Sequence, residues 1–181
     1  MLQKILLALL LLVVLAVVVL FLVGRRPSAG RIEHTVDLPA PPDAVWPWIS
    51  EPERLKQWVG WLVAVEPLAP GDASGLGARE RFVMDDPNMK QQVTMDATTT
   101  EIERPRRLAV EVTAPMGFDG TVTYSLVETT PGTTRLTYDG RFRYHHWFAA
   151  LMEPVVTPQA RKKLVADLER LREKVAAAAA S

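Results

Sequence analysis

At 181 residues the chain has room for one soluble domain plus a targeting segment. Its 21 basic residues equal its 21 acidic ones, so there is no basic excess to neutralise phosphates, and nucleic-acid binding is not expected. The absence of cysteine excludes disulfides, thiolate metal sites and cysteine nucleophiles, and leaves the compartment open.

Ile5 to Val23 reads ILLALLLLVVLAVVVLFLV, without one polar side chain. A run of roughly 19 apolar residues matches the ~20 needed to cross the hydrocarbon core of a bilayer. Residues 1–23 are therefore expected to form a single-pass membrane anchor along Ile5, Leu12, Val19 and Val23, with a polar linker at 24–30. A buried core helix is the poorer reading, because every face is apolar. A cleaved signal peptide is the rival, although its apolar region should span only about 7–15 residues. Pro27-Ser28-Ala29 is a weak version of its small-x-small cleavage site. Lys4 precedes the span, and Arg25, Arg26 and Arg31 follow it. The positive-inside rule leans toward a cytoplasmic carboxyl-terminal domain by about one charge. The usual signal-anchor topology gives the opposite side.

The soluble domain is expected over 31–178, with a tail at 179–181. Arg31-Ile-Glu-His-Thr-Val-Asp-Leu alternates as a first strand, ended by Pro39, Pro41 and Pro42. Val45, Trp46 and Ile49 fall at helical spacing. Ser50, with Pro52 and Glu53 behind it, resembles the N-cap of a second short helix that buries Leu55, Trp58 and Val59. A long antiparallel series follows: Trp61–Leu68, Ala78–Asp85, Gln91–Glu103, Leu108–Thr113, Thr121–Glu128 and Thr133–Tyr144. Turns at Pro70-Gly71-Asp72, Asp86-Pro87-Asn88, Arg104-Pro105-Arg106 and Pro131-Gly132 separate them. Each strand has one apolar and one polar face, as in an antiparallel sheet wet on one side. The last strand is clearest, with Leu136, Tyr138, Phe142 and Tyr144 against Arg135, Thr137, Asp139, Arg141 and Arg143.

From Pro158 to Val175, apolar residues at Leu164, Leu168, Leu171 and Val175 share one side of a helix. The opposite side carries Arg161, Lys162, Lys163, Asp167, Glu169, Arg170, Arg172, Glu173 and Lys174, with ion pairs expected for Asp167–Arg170 and Glu169–Arg172. So narrow a stripe needs a partner, and the sheet supplies it. Pro154 and the Thr157-Pro158 pair predict a kink or restart near Thr157. The order is β-α-α-β6-α, an α+β domain behind one apolar helix.

Four stretches resemble the START-like superfamily (SRPBCC), in its polyketide cyclase/dehydrase and lipid transport branch. They are Pro39 to Trp46 with Ser50 to Trp58, Gly75-Leu-Gly77, Glu101 to Leu108, and Gly132 to Thr137. The resemblance spans about Arg31 to Val175 and implies a helix-grip fold: a curved antiparallel sheet gripping the C-terminal helix, with an apolar cavity between them. It also implies a lipid, sterol, polyketide or other hydrophobic small molecule as ligand, with cyclase or hydratase activity in a minority of members. The expected cavity residues are Trp61, Phe82, Met84, Met95, Val110, Tyr124, Tyr138, Phe142 and Met152, although packed core explains the same pattern. Trp58 and Trp147 share that reading.

No cofactor and no metal site is expected. His145 and His146 are adjacent on a strand and converge poorly, His34 is remote from them in sequence, and Asp85-Asp86 reads as turn acids. Arg104, Arg106 and Arg107 read as solvated, or as headgroup contacts if that end faces a bilayer. No catalytic constellation stands out, although Asp139, Glu111, Tyr124 or Tyr138 would serve as acid or base if turned inward. Three functions stay open: a membrane-anchored module binding a hydrophobic ligand, a cyclase or hydratase, and a domain that binds another membrane protein.

Overall fold

The computed structural model describes residues 1–24, 26, 29–85, 92–115 and 117–180. The expectations resting on Arg25, Pro27, Ser28, Asp86, Pro87, Asn88 and Gln91 lie outside the described residues. In chain order the elements are α1 (Leu2–Gly24), β1 (Arg31–Leu38), α2 (Pro42–Ser50), α3 (Pro52–Trp58), β2 (Leu62–Ala69), β3 (Arg79–Met84), β4 (Val93–Glu103), β5 (Arg107–Ala114), β6 (Phe118–Thr130), β7 (Thr133–Tyr144) and α4 (Trp147–Ala179).

The seven strands form one antiparallel sheet in the order β1-β7-β6-β5-β4-β3-β2. β2 to β7 are a meander in which each strand pairs with the next. α2 and α3 carry the chain from β1, on one edge, to β2 on the other. The register puts the apolar residues of every strand on one face: Val36 stands opposite Leu136, Leu136 opposite Leu126, Tyr138 opposite Tyr124, Tyr124 opposite Leu108, and Phe82 opposite Met95. Because side chains alternate across a strand, the other face collects the charges. There Arg135 pairs with Asp37 (2.8 Å), Arg143 with Asp119 (2.7 Å) and Arg81 with Asp96 (2.7 Å).

The core lies where α2, α3 and the second half of α4 close on the apolar face. Trp46, Trp48 and Trp58 pack there with Val36, Leu38, Leu126, Leu136, Leu168, Leu171 and Val175. The Trp58 indole N–H donates to the Trp48 carbonyl at 2.8 Å, which satisfies a polar atom that burial would otherwise penalise. Thr134 Oγ1 does the same for the Ala40 carbonyl at 2.7 Å, joining β7 to the end of β1.

Three local expectations are corrected. Ser50 is the last residue of α2 and donates back to the Trp46 carbonyl (2.9 Å), so it does not cap α3, whose N-cap is Glu51. α4 does not restart at Thr157; it is a single helix of 33 residues containing both Pro154 and Pro158. Thr157 is buried within it, 3.4 Å from the Tyr144 hydroxyl. Tertiary contacts hold the segment helical across the hydrogen bonds that the prolines remove. Asp167 is not on the solvent side but buried, where Lys163 (2.5 Å) and Arg170 both bind it. The expected Glu169–Arg172 pair forms at 2.6 Å.

α1 is apolar from Ile5 to Val23, and Gln3–Gly24 is long and apolar enough to cross a membrane. Its end is joined to the domain. A proline at 154 has no N–H to give the Ala150 carbonyl, and Gly24 packs against that oxygen so closely that a Cβ would lie 1.8 Å from it. Six residues on, the Gly30 N–H donates to the buried Glu153 carboxylate at 2.9 Å.

Candidate functional site

The face of the sheet beneath α4 is the candidate site. Its apolar residues beyond the fully buried ones are only half-buried: Phe82, Met84, Tyr124 and Tyr138, which pack against the core, and Val93, Met95, Val110 and Phe142 all keep part of their surface open. Small residues form the floor between them. Ala97, Val112 and Ala114 are buried, and Gly140 leaves room in which the Tyr138 and Phe142 rings lie, its missing Cβ being 2.8 Å and 2.9 Å from them. Tyr124 and Tyr138 meet edge to face at 5.4 Å. Burial raises both phenols well above the usual tyrosine range, and the nearby Asp167 carboxylate adds to the effect. They stay neutral hydroxyls at physiological pH, fit to give or accept one hydrogen bond.

Of the nine residues expected to line a cavity, Phe82, Met84, Met95, Val110, Tyr124, Tyr138 and Phe142 share this one face. The other two do not. Trp61 precedes β2 with φ 75°, is more than a third exposed, and carries the Lys163 ammonium over its ring at 4.7 Å. Met152 is half-buried and falls off the stripe that α4 turns inward, which runs through Ala150, Glu153, Thr157, Leu168, Leu171 and Val175. Trp147 is largely exposed, also contrary to expectation.

The acid and base candidates sort by face. Asp139 and Glu111 point away from α4. Asp139 is held below the ordinary carboxylate range by its hydrogen bond from Arg141, with Arg31 beside it, and Glu111 is exposed. Three other carboxylates are buried or half-buried in a way not expected from the sequence, although the expected Asp167–Arg170 pair forms. Glu80 lies opposite Ala97 on the inner face, half-buried and without an ion-pair partner among the described residues, and burial raises its pKa. Its signal was the period of two, which puts it on the side of Phe82 and Met84. Asp167 sits under the helix near both tyrosines, neutralised by Lys163 and Arg170. Glu153 is fully buried, with no hydrogen-bond partner for Oε2 among the described residues; it is the one charge between Trp147 and Val156.

The histidines do not converge. His145 Nε2 lies 2.5 Å from Asp119 on the outer face, the His146 ring sits against Gly117, and His34 stands opposite Tyr138 on the inner face. The turn at 104–106 is at the α2 end of the sheet, since Arg107 lies opposite Ser125 while Arg31, next to α1, lies opposite Arg141. Its arginines are engaged rather than free: Arg104 stacks over Trp46 at 5.8 Å, and Arg107 pairs with Glu101 at 2.8 Å. Two open depressions lie elsewhere. One of about 420 Å³ crosses the outer face between Arg31, Glu111, Asp119, Arg141 and Arg143; the other, about 250 Å³, lies among Arg26, Arg31, Glu33, Thr157 and Arg161.

Comparison with solved structures finds the same architecture. TTHA0849 of Thermus thermophilus superposes with a TM-score of 0.67 at 20% identity, over 82% of this chain and 98% of that one. NE0264 of Nitrosomonas europaea gives 0.65 at 18% identity, over 86% and 100%. The Zhui aromatase/cyclase of a Streptomyces species gives 0.63 at 20% identity, over 80% and 92%. No curated protein matches the sequence. The model of one family, described as polyketide cyclase / dehydrase and lipid transport, matches residues 29–176, from the junction after α1 through the inward stripe of α4, and the chain is a member of that family.

Proposed function

We propose that this protein is a membrane-anchored module that binds a lipid or other hydrophobic small molecule between the inner face of the sheet and α4. The observation that carries the reading is the half-open apolar face itself. Phe82, Met84, Met95, Val110, Tyr124, Tyr138 and Phe142 share one face and are only half-buried, whereas Leu168 and Leu171 are fully buried. Apolar walls with a few placed polar groups are what such ligands need, and the neutral hydroxyls of Tyr124 and Tyr138 and the carboxyl of Glu80 supply the groups. α1 serves as the anchor in this reading, residues 24–30 as its junction, and 31–178 as the binding domain. Family membership supports the ligand class.

The cyclase or hydratase reading has less behind it. It needs an acid or base within hydrogen-bond reach of a partner in the cavity. Asp139 and Glu111 are on the other face, and Asp167 is already bound by two cations. Native mass spectrometry of the full chain released from lipid nanodiscs tests the binding reading. Retained lipid or a bound hydrophobic molecule, lost on Tyr138→Trp or Val110→Trp, is the expected result. A protein that emerges bare, and binds nothing from a panel of lipids and aromatic polyketides, overturns it.

A further inference from the structure

The first part of α4 has a second apolar stripe, and it faces the wrong way for the core. Phe148, Leu151, Met152 and Val155 recur at i, i+3, i+4 and i+7, on the side opposite the buried stripe of Ala150, Glu153 and Thr157. Among them Phe148 is 58% exposed and Val155 45%, and Trp147 beside them is 67% exposed. Past Pro158 the same outward side turns polar, with Gln159 and Lys162. Folding stability gives no reason to expose such a stripe.

Its position supplies the reason. The stripe begins where the apolar α1 ends: Gly24 is packed on the Ala150 carbonyl, and Arg26 approaches Glu153, on the buried side of the same turns, at 3.9 Å. On the other side of the same helix Arg26, Arg31, Glu33, Thr157 and Arg161 line a depression of about 250 Å³. An apolar helix face with an exposed tryptophan at its start, continuous with the end of an apolar span, has the chemistry of the boundary between headgroups and acyl chains.

We infer that the outward face of α4 from Trp147 to Val156 docks into the bilayer surface from which α1 emerges, as a second membrane contact that fixes the domain's orientation. This rests on α1 being the anchor. Docking there brings the α1 end of the sheet, and with it the Phe142 end of the inner face, down to the lipid. The Glu153 carboxylate, accepting from the Gly30 N–H, holds the two membrane contacts in a fixed relation. A hydrophobic ligand would then pass between membrane and cavity without crossing water.

Because the chain has no cysteine, single introduced cysteines are unique labelling sites. Nitroxide labels at Leu12→Cys, Phe148→Cys, Val155→Cys and Lys162→Cys, in the full chain reconstituted into phosphatidylcholine–phosphatidylserine nanodiscs, report contact with oxygen (in lipid) or a nickel chelate (in water). The expected result is an oxygen-to-nickel accessibility ratio several-fold higher at positions 12, 148 and 155 than at 162. Labels at 148 and 155 that meet nickel while position 12 meets oxygen overturn the docking and leave the anchor standing. Protection of 148 and 155 from both reagents also overturns it, because a second protein surface then covers the stripe. Nickel access at position 12 removes the anchor reading, and the docking falls with it.

Discussion

The two halves of α4 each carry an apolar stripe at helical spacing, and the two stripes meet opposite fates. Over Leu164 to Val175 the apolar stripe faces the sheet, and Leu168 and Leu171 are fully buried. Over Trp147 to Val156 the larger apolar residues turn outward, while the inward side carries Ala150, Glu153 and Thr157. Amphipathic spacing shows that a helix has an apolar side, and not whether that side meets a core, a ligand or a lipid.

The largest effect that would sharpen this contrast is core truncation. Leu168→Ala or Leu171→Ala should cost about 2–5 kcal/mol, through lost burial and a residual cavity. Phe148→Ala or Val155→Ala should change folding stability by no more than about 0.5 kcal/mol. Denaturant unfolding of the full chain in detergent micelles, followed by tryptophan fluorescence, measures both. Equal losses in the two halves would erase the distinction.

The joint between the halves comes next. Glu153→Ala leaves the Gly30 N–H buried without an acceptor and should cost about 1–3 kcal/mol. Glu153→Gln keeps an acceptor there and should cost clearly less in the same unfolding experiment. Gly24→Val should separate the end of α1 from α4, because its side chain would collide with the Ala150 carbonyl. Distances between spin labels on the two helices would then broaden, and an unchanged distribution would count against the close contact.

Two titrations probe the inner face. The protein's three tyrosines are all shifted upward by burial. Tyr124 and Tyr138 should therefore contribute no tyrosinate absorbance as pH passes 10, until the protein unfolds. Stability held by the neutral phenols is complete below their unfolded pKa of about 10 and is lost as pH rises through the folded values. An ordinary tyrosine titration in the folded state would show the face to be open to water. The smallest effect concerns Glu80. Its folded pKa is raised above 4.5, so the protein binds an extra proton on folding just above that pH, and stability falls as pH climbs through the window. Glu80→Gln should remove that slope and slightly raise the melting temperature at neutral pH. A slope unchanged by the substitution would place the carboxylate in solvent.

Much of the fold was legible in the chain. The β7 alternation and the stripe from Leu164 to Val175 each repeat a local period strongly enough to be read directly, and Pro131-Gly132 marks the turn before β7 by its residue types. The candidate site was legible as a face, with seven of its nine expected residues together. Trp61 was misplaced because it lies outside the strands, where no period applies, and Met152 because the helical period gives a stripe without saying which side of α4 meets the sheet. Glu80 was missed although the same alternation marks it, because a carboxylate is ordinarily assigned to water.

By itself, then, the sequence determined the order of elements, the apolar α1 and the face that each strand turns inward, since these follow from periods of 2 and 3.6 residues and from turn chemistry. The tertiary structure alone decided that α4 runs unbroken through two prolines, that Asp167 and Glu153 are buried, and that the chain after α1 is tied to α4. Those outcomes depend on partners more than a hundred residues away, or on whether the groups packed around a charge offset the cost of burying it. No local pattern contains either quantity.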